Sequence, residues 1–323
     1  MASTPFELKG KTVFVAGHRG MVGGALMRRL AREDVELLTA PRGELDLRDQ
    51  AAAYRFLSDH RVDFVFHLAG HIGGIGASVS RPVEFLYENL MIAMHVIHAA
   101  RIAKARKLVF LGSSCVYPRD CPQPMHEDEI LTGAFEPTNE GYAIAKIAGM
   151  KLCEYSNRQY GTNFLNLMPC NLYGHGDHFE PEKSHVVSAL MYKFHEAKRK
   201  RLPAVEVWGT GTTRRELLFV DDMVDAMLHF MDNVDASSIG TFVNIGLGED
   251  IAIRDLASMI KDIVGYSGDV VFDVTKPDGM PRKLMDVGRA ARLGWRAKVG
   301  IPEGLKMTYD WYRGNVAVEM GVE

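Results

Sequence analysis

A short apolar run, Thr12-Val13-Phe14-Val15-Ala16, leads directly into Gly17-His18-Arg19-Gly20-Met21-Val22-Gly23 and then into the amphipathic stretch Ala25-Leu26-Met27-Arg28-Arg29-Leu30. Strand, glycine turn and helix in that order open a β-α-β unit able to receive a pyrophosphate. The glycines permit a tight turn and close approach, and the first helical turn offers unpaired backbone N–H groups. The spacing is Gly-x-x-Gly-x-x-Gly rather than the more familiar Gly-x-Gly-x-x-Gly, so the reading rests on the strand-turn-helix context and not on the triplet alone. The rhythm continues in Phe64-Val65-Phe66-His67-Leu68 and Leu108-Val109-Phe110-Leu111, short apolar runs separated by longer amphipathic stretches. Such alternation predicts an α/β fold, a Rossmann-type doubly wound parallel sheet with crossover helices.

At 323 residues the chain has room for a second, smaller domain. The strand candidate Asn163–Met168 stops at Pro169, and Gly174, His175, Gly176 and Asp177 mark an irregular passage out of the first domain. Beyond it come a helix around Val186–Met191, a turn at Gly209-Thr210-Gly211, and Leu217-Leu218-Phe219-Val220, which reads as a strand returning to the first domain. The expectation is a dinucleotide-binding domain over residues 1–173 with a return segment near 217–246, and a mainly substrate-binding domain over 174–323 interleaved with it. Pro277-Asp278-Gly279-Met280-Pro281 has the chemistry of a turn-rich loop. The basic run Lys198-Arg199-Lys200-Arg201 reads as a solvated helix end, where cations suit the dipole.

Composition narrows the partners. A formal net charge of -3 supplies no basic field for a phosphate backbone, so nucleic acid is not expected. Cys115, Cys121, Cys153 and Cys170 have neither zinc-site spacing nor the density of a secreted disulfide scaffold, which points to a reducing compartment. Met1–Glu7 lacks a basic lead into an apolar core, and no stretch approaches membrane-spanning length; a cytoplasmic location is the expectation.

Where an acid would meet the ribose hydroxyls of NAD, after Val35-Glu36-Leu37-Leu38, this chain has Thr39-Ala40-Pro41-Arg42. An arginine there can face a ribose phosphate, and Arg19 inside the glycine turn is a second candidate. NADP(H) is therefore expected over NAD. Chemistry is signalled further on. Tyr142 and Lys146 stand four residues apart in a stretch that reads as helix, so both project from one face. A neighbouring ammonium would lower the phenol pKa and bring its proton within reach of a carbonyl oxygen. Gly112-Ser113-Ser114-Cys115 follows the apolar run at 108–111 and so lies at the carboxyl end of a strand, where open α/β sheets place their chemistry. Each feature also has a structural reading: a Tyr-x-x-x-Lys spacing occurs on solvated helix faces, and a cysteine after a buried strand often serves only as packing.

Taken together these features resemble the extended short-chain dehydrogenase/reductase family. The resemblance is carried by Ala16–Gly23, Leu111–Pro118, Glu136-Pro137-Thr138-Asn139-Glu140, Tyr142–Gly149 and Lys276-Pro277-Asp278-Gly279 with Pro281-Arg282-Lys283, and spans roughly Lys11 to Arg313. It implies a nucleotide-sugar epimerase/reductase acting on a GDP-linked 4-keto-6-deoxy sugar, epimerised at carbons 3 and 5 and reduced at carbon 4 by NADPH. Catalysis would fall to Ser113, Cys115, Tyr142, Lys146 and His185. Cys115 and His185 are the base and acid, since a thiolate and an imidazole suit proton exchange beside a ketone near neutral pH. The cofactor would meet Gly17, Arg19, Gly20, Met21, Val22, Gly23, Arg42, Leu68, Ala69, Tyr142, Lys146, Asn171, Leu172 and His185. Ser114, Lys193, Trp208, Arg215 and Lys283 would surround the sugar and diphosphate, although Trp208 could equally anchor a core. No metal is implied.

The same resemblance implies a homodimer paired through helices around Glu84–Ala103 and Tyr142–Gln159. Departures from the family pattern include lysine for arginine at Lys193, which keeps charge but loses a bidentate phosphate contact. Three other readings compete. A sister enzyme on another GDP-4-keto sugar, a dideoxy sugar or a heptose, would retain Cys115 and His185. A non-catalytic NADP-sensing protein would need no such constellation. A dehydratase would want an acid where Ser114-Cys115 stands.

Overall fold

The computed structural model describes residues 8–73, 75–180, 184–276 and 278–318. Residues 1–7, Gly74 and Pro277 of the turn-rich loop lie outside the described residues. The strands are β1 Thr12–Ala16, β2 Glu36–Leu38, β3 Phe64–His67, β4 Lys107–Leu111, β5 Phe164–Pro169 and β6 Asn171–Tyr173. They continue as β7 Ala204–Trp208, β8 Arg214–Phe219, β9 Val243–Ile245, β10 Asp250–Ala252, β11 Asp269–Asp273 and β12 Arg282–Lys283. The helices are α1 Met21–Leu30, α2 Gln50–Asp59, α3 Ile75–Ser80, α4 Pro82–Ile102 and α5 Glu140–Tyr160. After these come α6 Val186–Lys200, α7 Val220–Asn233, α8 Ile253–Val264, α9 Gly288–Arg292 and α10 Ile301–Tyr312.

A six-stranded sheet in the order β2-β1-β3-β4-β5-β9 forms the larger half, and every pairing in it is parallel. Its inner strands β3, β4 and β5 are buried at every residue, as expected where helices cover both faces. Lys107 can occupy such a strand because its Nζ donates to the carbonyls of Phe230 and Met231 at 2.8 and 2.6 Å, at the carboxyl end of α7. The chain leaves β1 for β2 on one side and returns to β3 on the other. That reversal opens a crevice beyond the carboxyl ends of β1 and β3, the usual ligand position in such sheets.

The smaller half joins β10, β8, β12 and β6 in one sheet and β7 with β11 in another, backed by α6, α8 and α10. Its sheet takes the chain from Asn171, ahead of the expected division at 173/174. The return also differs from expectation. Leu217-Leu218-Phe219 belongs to β8, which pairs with β6, β10 and β12, and re-entry into the large sheet is made by β9 after α7. The reason lies in the two-residue period of a strand: Leu217 and Phe219 pack in the smaller core, whereas Leu218 and Val220 pack in the larger one. An apolar run buried on both faces suits either sheet. The basic run closes α6 as expected: Lys198 donates to the carbonyl of Val264 at 2.7 Å, and Arg199 and Lys200 pair with Glu196 at 2.9 and 2.8 Å.

Candidate active site

The glycine turn is dictated by close backbone approach. Gly17 has φ +91°, and a Cβ there would stand 2.7 Å from the amide nitrogen of Ala69 and 2.9 Å from the carbonyl carbon of Leu68, so the ends of β1 and β3 touch. At Gly23 a Cβ would lie 2.1 Å from the carbonyl oxygen of Gly17, which presses α1 onto the turn. Gly20 differs: its nearest neighbour is 3.6 Å from an added Cβ. It precedes α1 in extended conformation, with no side chain capping the helix. The first-turn N–H groups at Met21, Val22 and Gly23 are thus left for an outside acceptor. A cradle closed at Gly17 and Gly23 and open at Gly20 fits a dinucleotide pyrophosphate. Leu68 and Ala69 form its far wall, and Arg19 is exposed at its edge.

Arg42 is exposed but not isolated. Its guanidinium lies 3.7 Å from the Glu88 carboxylate, which also takes Arg48 at 2.9 Å and the His71 ring at 3.3 Å. Glu88, on α4, went unnoticed in the sequence. The next residue, Asn89, fixes the loop after β3 by accepting from His71 N at 2.8 Å and donating to its carbonyl at 3.0 Å.

Ser113 ends the extended segment after β4, and its Oγ accepts from Cys115 N at 3.3 Å across a short 3-10 turn, Ser114–Val116. Tyr142 and Lys146 both lie in the first two turns of α5, as their spacing predicts. The phenol is hydrogen-bonded to Ser113 and close enough to Cys115 to feel its charge. Lys146 donates to the Leu111 carbonyl at 2.8 Å, with its Nζ 5.7 Å from the Tyr142 ring centre. The expectation that Lys146 lowers the tyrosine pKa is corrected here. Burial, reinforced by Cys115, raises it, and only the Ser113 hydrogen bond opposes. Burial likewise brings Lys146 down to about 8. Desolvation outweighs proximity, and Tyr142 is held as a protonated donor.

Cys115 is half-buried, and Lys283 Nζ donates to its sulfur at 3.8 Å. This pair, 168 residues apart in the chain, has no local sequence signal. His185 immediately precedes α6; its side chain is 52% exposed and its Nδ1 lies 3.8 Å from a carboxylate oxygen of buried Asp177. That neighbouring carboxylate raises the imidazole pKa against the opposing effect of burial. The structure therefore brings Ser113, Cys115, Tyr142, Lys146 and Lys283 into one neighbourhood, while His185 is paired with Asp177.

A further group forms on the smaller half. Trp208 ends β7 with 61% of its surface exposed, which removes the core-anchor reading. Lys193 and Lys276 both hold their Nζ 5.6 Å from its ring centre. Lys193 donates to the Glu206 carbonyl at 3.0 Å. Arg215 on β8 donates to the carbonyl of Met280 at 2.7 Å, fixing the loop that carries Asp278 and Gly279. Asp278 in turn accepts from the amide and hydroxyl of Thr210 at 2.7 and 2.9 Å. Ser114 is buried, and Asn171 and Leu172 lie half-buried on β6. Among the described residues no cluster of three His, Cys, Asp or Glu side chains could hold a metal, and no helix is long and apolar enough to cross a membrane.

The profile of the NAD dependent epimerase/dehydratase family matches residues 13–246. GDP-L-fucose synthase of Escherichia coli (strain K12) is 50% identical over 94% of this chain and 97% of its own length. GDP-L-fucose synthase 1 of Arabidopsis thaliana is 47% identical over 95% of each chain. The crystal structure of a GDP-D-glycero-L-gluco-heptose synthase from Campylobacter jejuni, determined in the presence of NADPH, superposes with a TM-score of 0.89 at 36% identity, covering 96% of this chain and all of that one (100%).

Proposed function

The chain belongs to the NAD dependent epimerase/dehydratase family, and from that premise we propose that it converts GDP-4-keto-6-deoxy-D-mannose to GDP-L-fucose with NADPH. The observation that carries the reading is the grouping of Tyr142, Ser113 and Cys115 at the carboxyl end of β4, with Ser113 Oγ accepting from Cys115 N and the phenol near enough to both to be shifted by them. A simple reductase needs the tyrosine and serine but has no use for a thiol at the same point. An epimerase needs a base there. The near full-length similarity to GDP-L-fucose synthases supports the choice of sugar.

The 4-keto group acidifies the protons on carbons 3 and 5. Cys115 removes a proton from each, the electron pair moving onto the ketone oxygen as an enolate, and His185 returns a proton to the opposite face. Ser113 and Tyr142 hydrogen-bond that oxygen throughout. NADPH, when bound, supplies the hydride to carbon 4. Tyr142 then gives its proton to the oxygen, a task suited to a phenol that burial keeps protonated. Lys146 would hold the nicotinamide ribose. The glycine cradle with Arg19 and Arg42 would receive the pyrophosphate and the ribose phosphate, with Leu68, Ala69, Asn171, Leu172 and His185 lining the rest of the cofactor site. Ser114, Lys193, Trp208, Arg215 and Lys283 border the sugar and nucleotide.

The molecule acts as a cytoplasmic homodimer in this reading. Val83 and Tyr87 on α4, with Ile144 and Tyr155 on α5, are exposed and apolar, and suit a shared helical interface. A second reading, a sister enzyme acting on a GDP-linked heptose, is favoured by the similarity to the Campylobacter jejuni heptose synthase. NADPH oxidation with freshly prepared GDP-4-keto-6-deoxy-D-mannose, followed by product identification, separates them. Wild type is expected to make GDP-L-fucose, and Cys115→Ser to yield mostly unepimerised or singly epimerised reduced sugars. Wild type that binds NADPH but leaves it unoxidised with this sugar defeats the assignment.

A further inference from the structure

We propose that Lys283 is a positioning residue for Cys115, holding its sulfur as the thiolate that takes the carbon protons of the keto sugar. The proposal rests on the reading of Cys115 as the epimerisation base and gives Lys283 a task beyond bordering the nucleotide. Its ammonium reaches the sulfur at 3.8 Å. The backbone that delivers it is fixed on both sides. Lys283 pairs with Arg215 in the β12–β8 ladder. The following residues are tied down as Leu284 N donates to Gln123 at 2.8 Å and Met285 N to buried Glu216 at 2.8 Å.

A compact ammonium beside a thiol favours the thiolate, which is both the stronger base and the better hydrogen-bond acceptor. Also near Cys115 are the Tyr142 phenol and Ser113, whose Oγ accepts from Cys115 N, while Lys146 donates to the Leu111 carbonyl. Of these, Lys283 is the cation in contact with the sulfur. It also acts on Cys170, but that thiol is fully buried and held well above its usual pKa by its surroundings.

Two epimerisations make the need specific. In each, the sulfur gains a proton from carbon and the His185 imidazolium gives one up, leaving thiol and neutral imidazole. Before the second carbon can react, a proton must pass from the thiol to the imidazole, directly or through solvent, restoring thiolate and imidazolium. Lys283 favours that reset by stabilising the thiolate product.

The test needs no sugar. Carboxamidomethylation of Cys115 by iodoacetamide is followed across pH in wild type, Lys283→Met and Lys283→Arg, with labelled peptides identified by mass. Cys121, Cys153 and Cys170 are buried, so Cys115 labelling is separable. The Met variant is expected to label about tenfold more slowly at neutral pH, and Arg is expected to restore most of the rate. With the keto sugar, the Met variant should accumulate unepimerised reduced product. Superimposable labelling profiles, with only KM for the sugar raised, overturn the proposal and leave Lys283 as a phosphate contact. Should Lys283→Met not fold by thermal melt, Lys283→Gln answers the same question. A labelling shift in an enzyme whose wild type ignores the keto sugar defeats the function reading while leaving the lysine–thiol pair intact.

Discussion

In the proposed mechanism a single carboxylate sets the acid side of the site. Asp177 is buried while His185 is half-exposed, so the ion pair at 3.8 Å is anchored from the protein side and raises the imidazole pKa above its usual 6.5. A group whose folded pKa is raised stabilises the fold by holding its proton. That contribution is complete below the unfolded value and is lost as pH rises through the folded one. Asp177→Asn keeps an acceptor for His178 N but removes the charge, and is expected to move the His185 titration midpoint down. The alkaline fall in carbon-proton exchange, followed as deuterium incorporation from heavy water, should then begin at lower pH. The wild-type stability advantage over the variant should appear in acid and close toward alkaline pH. An unmoved His185 midpoint by NMR would remove Asp177 from the mechanism.

Among elements, the glycine turn separates fold from function position by position. Gly23→Ala must push α1 away from the Gly17 carbonyl, an overpacking with a cost of about 1–3 kcal/mol or more, so both melting temperature and NADPH affinity should fall. Gly20 has extended backbone and open space, so Gly20→Ala should change stability by less than about 0.5 kcal/mol while weakening NADPH binding, because the added methyl stands where the pyrophosphate approaches. Equal melting losses in the two variants would contradict this division. These features were legible because they are local: strand, turn and helix follow one another in sequence, and Tyr142 and Lys146 share one helix face by spacing alone. What could not be read arises from tertiary placement. The phenol pKa is set by burial against other segments, Glu88 collects Arg42, Arg48 and His71 from separate elements, and Lys283 reaches Cys115 from the far end of the chain. The run at 217–220 announced a strand, but its two apolar faces could not reveal that it stands between two cores.

For the whole molecule, the interleaved path explains how two halves can share one site. β8 carries Arg215, proposed to meet the substrate, and α7 follows it immediately to pack on the larger core, so the position of the small sheet is coupled to the large one through continuous backbone. The opposite, helical flank has a different character. Packing of α4 against α5 is close: a Cβ at Gly141 would lie 3.2 Å from the Pro82 carbonyl oxygen, and one at Gly149 would lie 3.1 Å from Ala93 Cβ. The two helices therefore present their outer residues as one surface, on which Val83 and Tyr87 are 71% and 59% exposed. An apolar face of this kind is unfavourable in water unless a second copy covers it. In the proposed homodimer a two-fold axis there would make each substitution act twice, since the same patch would lie on both sides. Tyr87→Arg is thus expected to place two like charges in one interface and shift the protein toward monomer in sedimentation velocity, with NADPH binding retained because the cradle lies at the sheet's carboxyl edge. A variant that sediments as the wild type does would locate the dimer contact elsewhere.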